Sequence, residues 1–268
     1  MNYLWASDLH LDHLGGREYQ NFIFQLKNLC KLENKVLLCT GDTSAGTRVE
    51  RDHAKIAEAC NDSKFYYVLG NHDRWNSSFA ETNKNLTQLQ NEYSNACFMD
   101  LVDYVKLEDG TFVVGDSGWY DGRNGNQGNL DILMNDWWYI KEFIGYEPRQ
   151  LSAKIADASA KKLETKLHNA IAAGAKQIIV LTHVPPYAEA SRHLGKPCDD
   201  SGLPWFSCKC IGETIDMISD NNLEVKFEIL CGHTHEAFQY RRTNNLNVQV
   251  AGAYYGNPKI VTWKPTLW

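Results

Sequence analysis

The sequence lacks long apolar runs. None approaches the roughly 18 residues that a membrane-spanning helix needs, and residues 1–7 lack the basic and apolar stretches of a secretory signal peptide. Internal repeats, low-complexity segments and dividing linkers are missing as well. We therefore expect a soluble, cytoplasmic protein without membrane contacts, folded as a single domain over residues 1–268.

An excess of positive charge is also missing. With 27 Lys and Arg against 33 Asp and Glu, the formal net charge at pH 7 is −6, so no overall field attracts nucleic acid. The 8 cysteines are dispersed along the chain, which argues against a disulfide framework and for a reducing compartment.

Five short polar motifs stand out in what is present. They are Asp8-Leu9-His10, Gly41-Asp42, Gly70-Asn71-His72-Asp73, Thr182-His183 and Gly232-His233-Thr234-His235. Carboxylate, amide and imidazole groups in one set suit a pair of hard or borderline divalent metals. Because a two-metal centre can clamp the attacking and leaving oxygens of a phosphoryl displacement, the motifs predict a metal-dependent phosphoesterase.

Each motif directly follows a predicted strand. Apolar runs predict buried strands at 3–6, 36–39, 65–69, 177–181 and 226–230, and helical spacing predicts helices at 17–33, 50–60, 150–173 and 209–220. This alternation is typical of a largely parallel α/β sheet, in which ligands bind at the carboxyl ends of the strands. We therefore expect the five motifs to meet at one edge.

The remaining segments have other patterns. We predict a hairpin over 102–107 and 111–114, a loop at 122–129, an excursion of the chain over the site at 184–208, and closing strands at 248–251 and 259–263.

The spacing within the motifs indicates how ligands would be shared. Asp8 and His10 lie two apart on an extended segment, so their side chains can reach one ion. The same alternation lets His233 and His235 reach adjacent metals, and the carboxylate of Asp42 can bridge two ions. The metals that fit are Mn, Fe, Zn or Co, with Mg as a further alternative; we expect Mn2+ to support activity best.

As a set, the motifs resemble the calcineurin-like metallophosphoesterase superfamily, whose pattern is D-x-H, GD, GNH[DE], a lone His and GHxH, in this order. The resemblance runs from Asp8 to His235. It implies an α/β fold of four layers, an αββα sandwich of two mixed β-sheets flanked by helices.

The resemblance also implies roles. One metal would be held by Asp8, His10, Asp42 and His235, and the other by Asp42, Asn71, His183 and His233. A hydroxide bridging the metals would attack phosphorus. His72 would face the phosphate and act as the general acid that protonates the leaving oxygen.

One position departs from the protein phosphatase branch of the superfamily. That branch has GD-x-x-D, whose second aspartate orients the catalytic His, and Ala45 stands in its place here. A protein Ser/Thr phosphatase is therefore disfavoured, and Asp73 is the candidate substitute. Trp119-Tyr120-Asp121 and Met134-Asn135-Asp136 resemble a subset of predicted bacterial and phage phosphohydrolases without a defined substrate.

Several further residues are candidates for substrate contact. Arg74, directly after Gly-Asn-His-Asp, is expected to bind phosphate, whereas His13 and His193 are interpreted as bystanders. The aromatic group of Trp119, Tyr120, Trp137, Trp138 and Tyr139 is either a stacking wall or a satellite of the core.

The sequence thus predicts hydrolysis of a small phosphodiester or phosphomonoester, for example a nucleotide. Two alternatives stay open. A nuclease acting on nucleic-acid ends would need a basic path for the backbone, which the net charge of −6 disfavours. A non-catalytic scaffold on the same fold would be expected to lose ligands or the catalytic His, and here all these positions are filled.

Overall fold

The computed structural model describes residues 1–31, 35–126 and 132–266, and in these ranges two large β-sheets face each other. The first sheet contains, in spatial order, β13 (Ile260–Trp263), β1 (Asn2–Ala6), β2 (Lys35–Thr40), β3 (Lys64–Val68) and β4 (Ala96–Phe98). Strands β1 to β4 are parallel and β13 is antiparallel to β1.

The second sheet is mixed in the same way. Its order is β11 (Phe238–Arg241), β12 (Leu246–Val250), β10 (Lys226–Cys231), β7 (Gln177–Leu181), β6 (Phe112–Gly115) and β5 (Val105–Lys106). The four inner strands are parallel and the two edge strands are antiparallel. A separate small hairpin joins β8 (Arg192–His193) and β9 (Lys196–Pro197).

Helices cover the outer face of each sheet. The first sheet is covered by α1 (Gly16–Cys30), α2 (Val49–Ala59) and α3 (Phe79–Glu92). The second is covered by α5 (Pro148–Ala172) and α7 (Lys209–Asp220), and two short helices are α4 (Asp136–Tyr139) and α6 (Leu203–Phe206). The predicted four-layer αββα sandwich is confirmed. Among the described residues, no helix combines the length and apolar character that crossing a bilayer requires.

Strand β1 shows how the sequence produces the layers. Alternate side chains of a strand point to opposite faces, so Tyr3 and Trp5 pack between the sheets against Leu181. Leu4 belongs instead to the core beneath α1, where it joins Leu26. Because both faces of the strand are buried, the run is apolar throughout rather than alternating.

Most predicted elements are present, with shifted ends. The helix predicted at 17–33 is α1, which ends at Cys30; residues 32–34 lie outside the described residues, as do residues 127–129 of the predicted loop. The first hairpin strand, predicted at 102–107, is only the two-residue β5.

Among the described residues, the elements that were not predicted are the helices α3, α4 and α6 and the strands β4, β8, β9 and β11. A start signal for α3 was available, since the Ser78 side chain accepts a hydrogen bond from the backbone N–H of Glu81, the S-x-x-E arrangement of a capping box.

Candidate functional site

The five motifs meet where the carboxyl ends of both sheets come together. Asp8 follows β1, Asp42 follows β2, and Asn71 follows β3, while His183 follows β7 and His233 follows β10. Backbone hydrogen bonds join neighbouring loops, for example from Asp8 N to Gly41 O at 2.9 Å and from Gly232 N to His183 O at 2.9 Å. The side chains therefore converge because parallel strands end at one edge.

Five residues of the motifs have a left-handed backbone conformation. Their φ angles are 51° for Asp8, 42° for His10, 51° for Asp42, 70° for His233 and 59° for His235. Outside glycine this region is sparsely populated and costs about 1–3 kcal/mol per residue. Such cost persists where the surrounding structure fixes the conformation, and its concentration here indicates a functional site.

Two glycines make room for the carboxylates. A Cβ at Gly70 would collide with the carboxylate of Asp42, and one at Gly232 would collide with the carboxylate of Asp8. The glycines of the GNHD and GHTH motifs are therefore required by the close approach of these aspartates.

The motif residues form two clusters. We use the name second cluster for Asn71, His183 and His233, which surround one amide oxygen. Asn71 Oδ1 lies 3.1 Å from His183 Nε2 and 3.1 Å from His233 Nδ1. On the far side of each ring a nitrogen donates to a backbone carbonyl: His183 Nδ1 to Thr40 O at 2.8 Å, and His233 Nε2 to Trp205 O at 3.0 Å. These outer bonds direct the other ring nitrogen toward the centre.

The charge state of the second cluster calls for a cation. Burial and the charge of His183 lower the pKa of His233 to about 4, so at neutral pH its inner nitrogen is a lone pair that faces the Asn71 oxygen, acceptor against acceptor. At His183, burial acts against the charged form, but the carboxylates of Asp42 and Asp8 outweigh it and raise the pKa to about 10. A divalent metal would supply the positive charge that a proton supplies there.

We use the name first cluster for Asp8, His10 and His235, in which two imidazole rings face each other. His10 Nε2 lies 3.1 Å from His235 Nε2, and the latter lies 3.3 Å from Asp8 Oδ1. Burial lowers the pKa of His10 to about 4, so this ring is neutral at pH 7 and could serve as a metal ligand. The three residues offer ligand atoms close enough together to hold one ion.

Asp42 lies between the clusters. Its Oδ2 is 3.4 Å from His183 Nε2 and 3.9 Å from His10 Nε2, while its Oδ1 accepts a hydrogen bond from the backbone N–H of His72 at 2.8 Å. Burial opposes ionisation of this carboxyl, but the neighbouring imidazoles of His183 and His72 hold its pKa well below the usual range. A buried carboxylate that faces both clusters can bridge two ions.

His72 lies at the mouth of the site beside the first cluster, with its ring centroid 4.7 Å from that of His10. Its Nε2 is 3.9 Å from Asp42 Oδ2, and its ring stacks on the indole of Trp75 with centroids 3.6 Å apart. Among the described residues, its Nδ1 has no hydrogen-bond partner. The ring is thus held by stacking rather than by a carboxylate.

Asp136 links Asn71 to His72 indirectly, because it binds the Asn71 amide and the indole of Trp75 on which His72 stacks. Its Oδ1 accepts hydrogen bonds from Asn71 Nδ2 at 2.8 Å and Trp75 Nε1 at 2.6 Å, and its Oδ2 accepts one from Tyr120 OH at 3.0 Å. The first bond fixes the amide so that its oxygen faces the second cluster. Burial raises the pKa of Asp136 although these donors favour the carboxylate.

The structure does not bring Arg74 to this group, contrary to expectation. Arg74 is buried, its Nη1 donates to Asn83 Oδ1 at 3.0 Å, and its guanidinium carbon lies 4.3 Å from the Phe79 ring centroid. The 3-10 turn at His72–Arg74 directs the two side chains to different sides, and Arg74 lines a separate cavity beside Asp100 and Asp116.

Asp73 does not orient His72 either. Its carboxylate accepts hydrogen bonds from the backbone N–H groups of Gly70 at 2.8 Å and Ser44 at 3.0 Å. Asp73 therefore ties the loop after β3 to the loop after β2.

The aromatic group divides between the two interpretations. Trp119, Tyr120 and Trp137 are buried in the core, whereas Trp138 and Tyr139 are exposed. Tyr139 packs against Trp75 with ring centroids 5.2 Å apart, and Tyr120 approaches the site from the core, with its ring 6.3 Å from that of His233.

Sequence reasoning missed residues that line the site cavity, an opening of about 410 Å³ over the clusters. Tyr255 lies against His10 with ring centroids 4.5 Å apart and against His13 at 4.7 Å. Phe206 and His193 also line the cavity, from the segment 184–208 that was expected to pass over the site; His193 had been interpreted as a bystander. Nothing in the local sequence marks Tyr255 or Phe206, because tertiary contacts alone bring them to the site.

Comparisons with known proteins agree with this geometry. A family model described as calcineurin-like phosphoesterase matches residues 1–237. No curated protein matches the sequence.

Solved structures match the chain at low identity. A dimetal phosphatase from Danio rerio has 12% identity and a TM-score of 0.54, with 94% of this chain and 87% of that chain covered. A 5'-nucleotidase from Candida albicans has 12% identity and a TM-score of 0.45, with 94% and 45% covered. The calcineurin-like phosphoesterase YfkN from Bacillus subtilis has 12% identity and a TM-score of 0.46, with 98% and 88% covered.

Proposed function

Since the chain belongs to the calcineurin-like phosphoesterase family, we propose that it hydrolyses a small phosphodiester or phosphomonoester, for example a nucleotide, at the two clusters. Family membership means a metal-dependent phosphoesterase with two divalent metal ions. The substrate, the residue roles and the metal identity are our proposals.

The observation that carries the proposal is the convergence of carboxylate, amide and imidazole ligand atoms on two points. At the second cluster, Asn71 Oδ1 faces His183 Nε2 and His233 Nδ1 at 3.1 Å each, while the outer nitrogens of both rings are used by backbone carbonyls. We assign Asn71, His183 and His233 to one metal, Asp8, His10 and His235 to the other, and Asp42 to both. When bound, two such ions supply hydroxide at neutral pH and neutralise charge on the phosphoryl oxygens.

We assign the general acid to His72. It lines the site cavity, it is not part of either cluster, and stacking on Trp75 limits its rotation. From this position the imidazolium would stabilise negative charge on the phosphoryl group and protonate the leaving oxygen. Asp136 would act as a positioning residue, because it holds Trp75 in place.

For the metal we propose Mn2+, with Fe, Zn, Co or Mg as the alternatives. Carboxylates and an amide oxygen suit hard ions, and the four imidazoles suit borderline ones. A panel of these metals added to metal-free protein tests the choice: highest turnover with Mn2+ supports it, and turnover with Zn2+ or Mg2+ alone contradicts it.

The function itself is tested with bis-p-nitrophenyl phosphate and p-nitrophenyl phosphate in the presence of Mn2+. We expect turnover by the wild type and its loss in Asp42→Asn. The matched control is Asp62→Asn, which changes an exposed aspartate just before the amino end of β3, the end away from the clusters. Diester turnover would direct the substrate search to cyclic nucleotides and other diesters, and turnover of the monoester alone to phosphatase substrates. Two bound metals with salt-dependent cleavage of single-stranded DNA ends would favour the nuclease instead.

A further inference from the structure

A second cavity of about 560 Å³, which we name the side cavity, adjoins the site cavity. The two share the lining residues Ile132, His193, Phe206 and Thr234. Thr234 lies in sequence between two members of the clusters, His233 and His235. The side cavity therefore lies directly beside the site cavity, within reach of a group bonded to a phosphate at the clusters.

The walls of the side cavity are partly apolar. Phe206, Leu194 and Pro197 contribute apolar surface, and the cavity volume falls within the roughly 300–1,000 Å³ of pockets for small organic ligands. An inorganic phosphate alone would leave this space empty. The shape and surface instead suit an organic unit of about nucleoside size with a flat or apolar face.

The same walls carry positive charge. The lining includes two cationic side chains, Arg192 and Lys196, and one carboxylate, that of Asp199. One carboxylate oxygen of Asp199 is used by the backbone N–H groups of Ser201 at 3.1 Å and Gly202 at 2.9 Å. The lining is thus locally cationic in a chain of net charge −6, which favours an anionic ligand group.

Contacts with the turn of the β8–β9 hairpin and with β11 hold Arg192 in place. Its Nη2 donates to Gly195 O at 2.8 Å, and its guanidinium carbon lies 4.4 Å from the Phe238 ring centroid. A guanidinium positioned in advance loses less side-chain freedom when it binds an anion.

We propose that the side cavity binds the organic part of the phosphoester, an aromatic unit of about nucleoside size that carries a second anionic group. This inference deepens the proposed function and rests on it, because it takes the clusters as the place of the reacting phosphate. Phe206 would contact the ring, and Arg192 and Lys196 would bind the second anion.

Calorimetric titration of the Mn2+-loaded protein with three probes tests the proposal: inorganic phosphate, adenosine 5′-monophosphate and adenosine 3′,5′-bisphosphate. We expect affinity to rise in this order, with the second phosphate adding about tenfold, as a charge-assisted hydrogen bond does. The Arg192→Ala/Lys196→Ala variant should lose the advantage of the bisphosphate over the monophosphate. Phe206→Ala should lose the advantage of the monophosphate over phosphate.

The matched control removes two exposed cations elsewhere. Lys154→Ala/Lys161→Ala changes the net charge equally on the outer helix α5, so it should leave the order of affinities unchanged. Equal affinities for the three probes, or an equal loss in the control, would overturn the side-cavity proposal.

Turnover of bis-p-nitrophenyl phosphate separates the two proposals. Turnover together with equal binding of all probes would contradict the side cavity and leave the proposed function intact. Absence of turnover together with failure of phosphate to bind would contradict both.

Discussion

The two clusters of the site differ in what lies behind their ligand atoms. Each member of the second cluster has an outer hydrogen bond: Asn71 to Asp136, His183 to the Thr40 carbonyl, and His233 to the Trp205 carbonyl. In the first cluster, Asp8 accepts such bonds from the Ser7 hydroxyl at 2.6 Å and from the His233 N–H at 3.0 Å. The two rings of this cluster are less supported, because the His235 side chain is 22% exposed and His10 Nδ1 has no partner among the described residues.

This difference predicts two unequal metal sites. Outer partners fix the orientation and tautomer of a ligand, and losing one typically costs about 10–100-fold in metal affinity. The second cluster is therefore organised before the metal arrives, whereas the rings of the first cluster must be fixed upon binding. We expect the second cluster to bind its ion more tightly and the ion at the first cluster to exchange more readily.

The largest effect is expected for Asp42→Asn, because Asp42 faces both clusters and its loss should weaken metal binding at both of them. An amide carries no charge to share between two ions, so turnover should fall by more than about 100-fold, beyond the loss of one outer partner. Metal content, measured by inorganic mass spectrometry, should fall below two ions per chain. Two retained ions with normal turnover would show that Asp42 does not bridge.

His72→Ala should leave the difference in metal affinity between the two clusters unchanged, since His72 belongs to neither cluster. We expect kcat to fall by about 100-fold for phenyl phosphate esters, whose leaving group needs a proton, and by less for p-nitrophenyl esters. Both ions should remain bound. An equal loss for the two leaving groups would argue against a general acid at this position.

Asp136→Asn should reduce the difference between the clusters. Asp136 accepts from three donors, and an amide NH2 in place of one oxygen would face a donor. We expect the affinity of the tighter site to fall by about 10–100-fold, read from a two-site Mn2+ titration. The control is Asp220→Asn, which changes an exposed aspartate at the end of α7. Weakening of the looser site instead of the tighter one would contradict the assignment.

Tyr255→Ala should have the smallest effect, and at the first cluster only. The Tyr255 ring lies 4.5 Å from the His10 ring and 5.1 Å from the His235 ring, and aromatic contacts of this kind contribute about 0.5–1.5 kcal/mol. The affinity of the looser site should fall about 2- to 10-fold in the same titration. A change confined to the tighter site would show that Tyr255 does not support the first cluster.

The cluster residues could be predicted because the sequence itself carries their pattern. Asp8, Asp42, Asn71, His183 and His233 each follow an apolar run that forms a parallel strand, and parallel strands end at a common edge. The fold followed from the same runs together with the family resemblance. The roles of these residues remain predictions until metal binding is measured.

What lies around the clusters could not be predicted, for physical reasons. The Trp205 carbonyl is a backbone group that any residue could supply, and Tyr255 reaches His10 only through tertiary packing. Adjacency was misleading at Arg74, because a single 3-10 turn separates its side chain from that of His72. Arg192 and Lys196 reach the side cavity through a hairpin that sequence analysis treated as part of an irregular excursion.

The most direct test of two unequal metal sites is a titration of the metal-free protein with Mn2+, followed by electron paramagnetic resonance. We expect a mononuclear spectrum during the first equivalent and its conversion to an exchange-coupled pair during the second. A coupled pair from the first additions onward, or saturation at a single ion, would contradict this expectation.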